Sequence, residues 1–286
     1  MAGGYPGGRL FAGFFNENKV PDTSYSGTAT RETFRGNIVL NVQAYYAGMY
    51  DYDISSQHTY SDNIIWNSKG GLFGDYLHGD PASLTATRMT IGAISGTYGN
   101  LGNGASAYGT GFSVANSAVT NSLTNSVLWN NISYGMADYT VGDYNAYFGN
   151  GVAERGGVQK IPVAGAHDIH TSPTASLKYL PRIEPGSPLG TAGLNGGQVG
   201  ASVLFMWGAT GTLWGEPGYD SKTATCLWPF PNEQIIKTDM ASYVGPGGAG
   251  VRGFTSGTSI DGTPQSLTKY IWEYLGNQLP AGALCP

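Results

Sequence analysis

The chain of 286 residues carries 45 Gly, 19 Tyr and 15 Pro, but only 14 Lys+Arg against 19 Asp+Glu. A charged fraction of 12% is about half that of an ordinary soluble domain. Aromatics at 12% exclude a disordered polar chain, glycine without a Gly-X-Y period excludes collagen, and a net charge of -5 excludes a phosphate-backbone binder.

Residues 1–30 form a Gly/Pro-rich lead, beginning Met1 to Gly8 with no basic region followed by an apolar run. An exported chain of this sequence is then expected to be a mature form or a fragment. No stretch of 18 apolar residues occurs, so no membrane-spanning helix is expected.

From residue 31 the dominant feature is repetition. Asn37-Ile-Val-Leu-Asn41 returns as Asn63-Ile-Ile-Trp-Asn67 and as Ser126-Val-Leu-Trp-Asn130, with a shorter echo in Asp143 to Asn150. Arg88-Met-Thr-Ile-Gly92 fills one turn of the longer interval between Asn67 and Asn130, which has room for two or three. Each unit is a short β-branched or aromatic run closed by Asn or Gly, without the 3.6-residue stripe of a helix. One such run cannot cover its own apolar face, whereas stacked copies bury a continuous core. Asn at equivalent turns tolerates left-handed backbone and can bond its neighbour in the next rung. The expectation is an internal aliphatic ladder of Ile38, Ile64 and Val127, with Trp66 and Trp129 in register.

On these repeats, residues 30–205 resemble the right-handed parallel β-helix proteins of the pectate-lyase-like superfamily. The stretch Tyr179 to Leu189 followed by Gly196 to Ala201 looks like the closing coil of bacterial members. The tail, with Leu227 to Glu233 and Tyr270 to Gly276, is similar to that of secreted members. The expected fold is an all-β solenoid over residues 31–205, followed by a C-terminal extension, 206–286, holding one or two short α-helices.

In that extension, Asn232 is placed to cap a helix from Glu233 to Met240. Thr263-Pro264 opens a second over Gln265 to Leu275, with Gly276 as its stop and an apolar face of Leu267, Tyr270, Ile271, Tyr274 and Leu275. Cys226 and Cys285 either close a disulfide across the tail or stand as separate thiols. Low charge with abundant Gly, Ser, Thr and Asn suits a secreted chain and favours the disulfide.

The resemblance implies that an enzyme on this fold would hold calcium with carboxylates beside a basic residue. Asp51 and Asp53 share a strand face, and Asp75 and Asp80 share a loop, so these four are the candidate calcium ligands. Lys69 and Arg88 are the basic candidates, with Asp75 and Asp80 as alternative catalytic carboxylates. Each cluster equally suits Asx turns. The superfamily's hydrolase signatures are missing, and Arg182-Ile-Glu184 carries the opposite charge where a lysine would stand. His167-Asp168-Ile169-His170 suits a metal only with further ligands from elsewhere, and reads first as a hydrogen-bonded turn opening the closing coil. Tyr50, Tyr52, Tyr76 and Tyr144 are the candidate carbohydrate-stacking residues.

The functional expectation is an extracellular or cell-surface structural or binding protein. It would bind polysaccharide, assemble with copies of itself by coil stacking, or both, without nucleic acid. A calcium-assisted polysaccharide lyase or glycoside hydrolase is the alternative.

Overall fold

The structure, a computed structural model, describes residues 12–17, 31–42, 47–52, 57–74, 83–96, 109–115, 117, 120–158, 160–172, 177–208, 212–213, 215–242, 244–245, 248–249, 257–276 and 285. These fall into two compact units, one within residues 1–176 and 183–202, the other within 177–182 and 203–286.

The first unit is an all-β solenoid. Its first coil holds β1 (Ala12–Glu17), β2 (Arg31–Arg35) and β3 (Ile38–Leu40), and its second β4 (Ala47–Tyr52), β5 (Gln57–Ser61) and β6 (Ile64–Trp66). The third holds β7 (Leu72–Gly74), β8 (Ser83–Thr87) and β9 (Thr90–Gly92), and the fourth β10 (Phe112–Val114), β11 (Thr120–Thr124) and β12 (Val127–Trp129). The fifth holds β13 (Tyr134–Asp138), β14 (Gly142–Asp143) and β15 (Ala146–Phe148), and β16 (Ala153–Gly156) opens the next. Every third strand pairs in parallel. The first sheet runs β1-β4-β7-β10-β13-β16, the second β2-β5-β8-β11-β14 and the third β3-β6-β9-β12-β15. This is a parallel β-helix, and two turns separate Asn67 from Asn130.

Repeated register makes the core. Met49, Leu72, Phe112 and Met136 stack inside the first sheet, and Tyr60, Ala86 and Leu123 inside the second. Inside the third, Val39, Ile65, Ile91 and Leu128 form the aliphatic ladder, closed by Tyr147. Each is almost fully buried, a gain of about 1.5–3 kcal/mol for each of the large aliphatic side chains.

That ladder lies one residue away from the expected one. Ile38, Ile64, Thr90, Val127 and Ala146 are in register, but alternation turns them outward. Ile64, Thr90, Val127 and Ala146 are nevertheless buried, because residues 183–202 cover the outside of the third sheet. There Ala201 N–H donates to Thr90 Oγ1 at 2.9 Å, and Gly200 N–H to the Asn125 carbonyl at 2.8 Å.

Two of the three corners of each coil carry a left-handed residue. Between the second and third sheets the corner is always a pair: Gly36-Asn37, Asp62-Asn63, Arg88-Met89, Asn125-Ser126 and Tyr144-Asn145. Its first residue takes positive φ, from 47° at Arg88 to 71° at Gly36. Its second builds a side-chain ladder: Asn63 Oδ1 accepts from Asn37 N–H, Ser126 Oγ from Met89, Asn145 Oδ1 from Ser126 and Asp168 Oδ1 from Asn145. After the third sheet, Asn41, Asn67, Ala93, Asn130 and Gly149 provide the other left-handed turn.

In the second unit, β17 (Phe205–Trp207) pairs antiparallel with β18 (Lys222–Cys226), followed by α1 (Glu233–Ser242), the pair β19 (Val244–Gly245) and β20 (Gly248–Ala249), and α2 (Leu267–Tyr274). Asn232 precedes α1 with φ 59°, not the extended backbone of a side-chain cap, and its carbonyl accepts from Ile236 N–H. Helix α2 begins later than expected. Ser266 caps it by accepting from Lys269 N–H, while Asp261 and Ser259 hold Thr263 in a preceding turn. Its buried face is Thr268, Ile271 and Trp272, continued by Leu275, instead of one centred on the two tyrosines. Trp272 draws that face round by packing against Tyr179 and Trp228 beneath the Arg182 guanidinium. Cys226 and Cys285 are joined by a disulfide, with Cα atoms 5.9 Å apart.

Candidate functional site

The outside of the third sheet carries a row of large apolar side chains. Register aligns Leu40, Trp66, Gly92, Trp129 and Phe148 across five coils. Leu40, Trp66 and Trp129 are half-buried, whereas Phe148 is buried. A Cβ at residue 92 would stand 2.2 Å from the Trp66 ring and 2.6 Å from the Trp129 carbonyl. Glycine there leaves the space in which the two indoles meet edge-to-face, centroids 5.6 Å apart. Both indoles keep part of their surface in solvent.

Around this row, several proposed catalytic or ligand groups hold coils together. Arg88 spans to the preceding coil, Nε donating to Asp62 Oδ1 at 2.9 Å and Nη2 to Oδ2 at 2.6 Å. That bidentate bond raises the guanidinium pKa further. Lys69 lies at the corner after the third sheet, at the opposite end of that sheet from Arg88, and its carbonyl accepts from Gly96 and Gly109 N–H. The two bases therefore belong to different corners. Asp53, Asp75, Asp80 and Tyr76 lie outside the described residues, as does the side chain of Tyr52. Among the described residues no group of three or more His, Cys, Asp or Glu side chains is placed to hold a metal.

Tyr50 is buried and stacks on Phe73 with centroids 5.3 Å apart, because two outward rings in adjacent coils cover each other; its faces are not open to a sugar. Tyr144 stands at a corner with His167 lying flat on it at 4.4 Å. Asp143 orients that imidazole by accepting from the His167 backbone N–H and meeting the ring Nδ1 at 2.8 Å. Burial raises the Asp143 carboxyl, but these bonds outweigh it and hold the pKa below the ordinary range. The neighbouring His170 meets Glu154 at 2.8 Å, and Asp168 pairs with Arg155, so the whole 167–170 segment is tied to the last coils.

One group escaped the sequence reading. Asp51, expected to face a calcium ion, is buried inside the second coil 2.6 Å from His58 Nδ1, and it accepts from the Tyr60 hydroxyl at 2.9 Å. Glu32 of the first coil lies 3.7 Å from His58 Nε2. Burial pushes the Asp51 pKa up by more than His58 and Tyr60 pull it down. For His58, burial acts downward, but the bond and charge of Asp51, with Glu32, outweigh it and leave the pKa raised. Aligning rungs would have shown the anomaly, since His58 occupies the interior position filled by Leu84 in the next coil.

The fold and its ladders define an all-β solenoid of the parallel β-helix type. Comparison with protein-family models, curated proteins and solved structures gives no significant match.

Proposed function

We propose that this β-helix is an extracellular, non-catalytic member of the pectate-lyase-like superfamily that binds a polysaccharide along its outer face. The observation that carries this reading is the Trp66–Gly92–Trp129 arrangement. Indole offers an apolar face to the C–H side of a sugar ring and an N–H donor to its hydroxyls. Outward indoles on rigid strands also lose little conformational freedom on binding. The Cys226–Cys285 disulfide suits an oxidising compartment outside the cell. End-to-end stacking is the weaker reading for the C-terminal end of the solenoid. The interior column Met49, Leu72, Phe112, Met136 ends there on Arg155, which pairs with the buried Asp168 and lies over the Tyr147 ring. A coil added at that end would meet a charged pair instead of an aliphatic core.

Retention on a panel of neutral and acidic polysaccharides, with and without calcium, tests the proposal. At least one glycan should retain the protein, and Trp129→Ala, with unchanged circular dichroism, should weaken retention about tenfold or more, about 1.4 kcal/mol. No retention on any glycan, or equal retention of the variant, would overturn it. New reducing ends or unsaturated-sugar absorbance would replace it with the hydrolase or lyase reading.

A further inference from the structure

The outward side of the second sheet differs from that of the third, carrying hydroxyls where the third carries indoles. In β5, β8 and β11 the buried, inward residues are His58 and Tyr60, Leu84 and Ala86, and Asn121 and Leu123, so the alternate positions face outward. Every outward position of these three strands is a serine or threonine except Gln57. Register sets Thr59, Thr85 and Ser122 in one column, and Thr33 of β2 extends it to a fourth coil. Ser83 with Thr120 flanks that column on one side, and Thr87 with Thr124 on the other. In the latter, Thr124 Oγ1 donates to Thr87 Oγ1 at 3.3 Å, which holds the two rotamers in line.

The grid is open. Thr33, Thr85 and Thr120 are exposed, and Thr59, Ser83, Thr87, Ser122 and Thr124 keep part of their surface in solvent. Ser61 alone among the outward residues of the three strands is buried. None of these positions carries a charge, whereas roughly one residue in four does in an ordinary soluble domain. Charge enters only at the ends of the flanking columns, with Arg31 and Arg35 on β2 and Asp143 on β14. No aromatic ring stands among the outward positions either, which sets this face apart from the Trp66–Trp129 row.

We infer that this face binds ice, ordering a layer of water that joins the surface of a crystal. Successive coils lie about 4.7–4.9 Å apart, and alternate residues of a strand about 6.4–6.8 Å apart. Both spacings lie near the oxygen repeats of hexagonal ice, so a rigid grid meets the lattice at many points at once. Each hydroxyl has one donor and two acceptor sites and rotates to suit, and it therefore fits either proton arrangement of a lattice water. Threonine is stiff at χ1 and its strand is held in the stack, so little conformational freedom is lost on binding. A full charge on the face would instead hold a hydration shell of its own.

Thermal hysteresis of the intact protein, read as the gap between melting and growth of a single ice crystal, tests the inference. The wild type should open a gap that widens with concentration, and it should facet the crystal. Thr85→Lys and Ser122→Lys, which set a charge in the central column without touching the core, should each abolish both effects. The same charge in Val163→Lys, at an exposed residue beyond the last coil, should leave them intact. Round crystals without a gap in the wild type would overturn the inference, as would full hysteresis in both folded grid variants. Should neither variant show the wild-type circular dichroism, uptake decides: fluorescently labelled wild type should be incorporated into a slowly growing ice hemisphere, and its exclusion would overturn the inference. The glycan reading rests on the third sheet and stands or falls separately.

Discussion

The solenoid and the C-terminal unit solve the same problem with opposite economies. In the solenoid most core contacts recur from coil to coil. Ile65, Ile91 and Leu128 repeat one another, and the side-chain bonds of Asn63, Ser126, Asn145 and Asp168 repeat along one line of corners, with Met89 as the break. In the C-terminal unit almost every contact occurs once. Trp272 sits among Tyr179, Trp228 and Arg182, Glu233 of α1 accepts from Thr268 N–H of α2, and one disulfide ties down Cys285. Repetition spreads stability over neighbours, whereas singular contacts concentrate it. Damage should therefore be shared in one unit and decisive in the other.

The largest test of that contrast is the disulfide. Cys226→Ser opens a link between residues 59 apart in sequence, a loss of about 4 kcal/mol in the chain-entropy model. The calorimetric transition of the C-terminal unit should fall while that of the solenoid stays in place; a common shift would show that the two melt as one. Next comes Leu128→Ala, at about 3 kcal/mol for a buried leucine. Here hydrogen exchange should quicken together in β9, β12 and β15, and quickening confined to β12 would deny the neighbour coupling. The smallest effect is expected from Asn145→Ala, about 1–3 kcal/mol, since it strips an acceptor from Ser126 N–H and a donor from the Leu123 carbonyl. Urea midpoints measure it, and a change within error would mean that the corner ladder contributes only specificity.

The coil architecture was legible because its corners are chemically distinctive. Asn67 and Asn130 mark left-handed turns in the sequence as they do in the structure. Which face pointed inward was not legible. The runs Ile38-Val-Leu40 and Ile64-Ile-Trp66 are apolar throughout, because the third sheet is covered on both sides, and three residues give alternation too little length to show. The partner of Arg88 could have been read from the repeat, since Asp62 stands 26 residues earlier at the same corner. His58 offered no motif. Its meaning lies in replacing the leucine of the next coil, and only correct register reveals that. The start of α2 was misplaced because a Thr-Pro pair is a common opening. Here the Asp261 carboxylate holds Thr263 in the turn and Ser266 begins the helix instead.

The two-residue corner between the second and third sheets has a consequence for how such a chain can change. Its length is constant in all five coils, while the other connections vary: residues 75–82 lead from β7 to β8, residues 93–111 from β9 to β10, and only residues 139–141 from β13 to β14. Alignment of the coils is therefore dictated at one corner, and the others are free to lengthen or shorten without shifting a rung. One extra residue beside Asn125 should throw every later rung out of step.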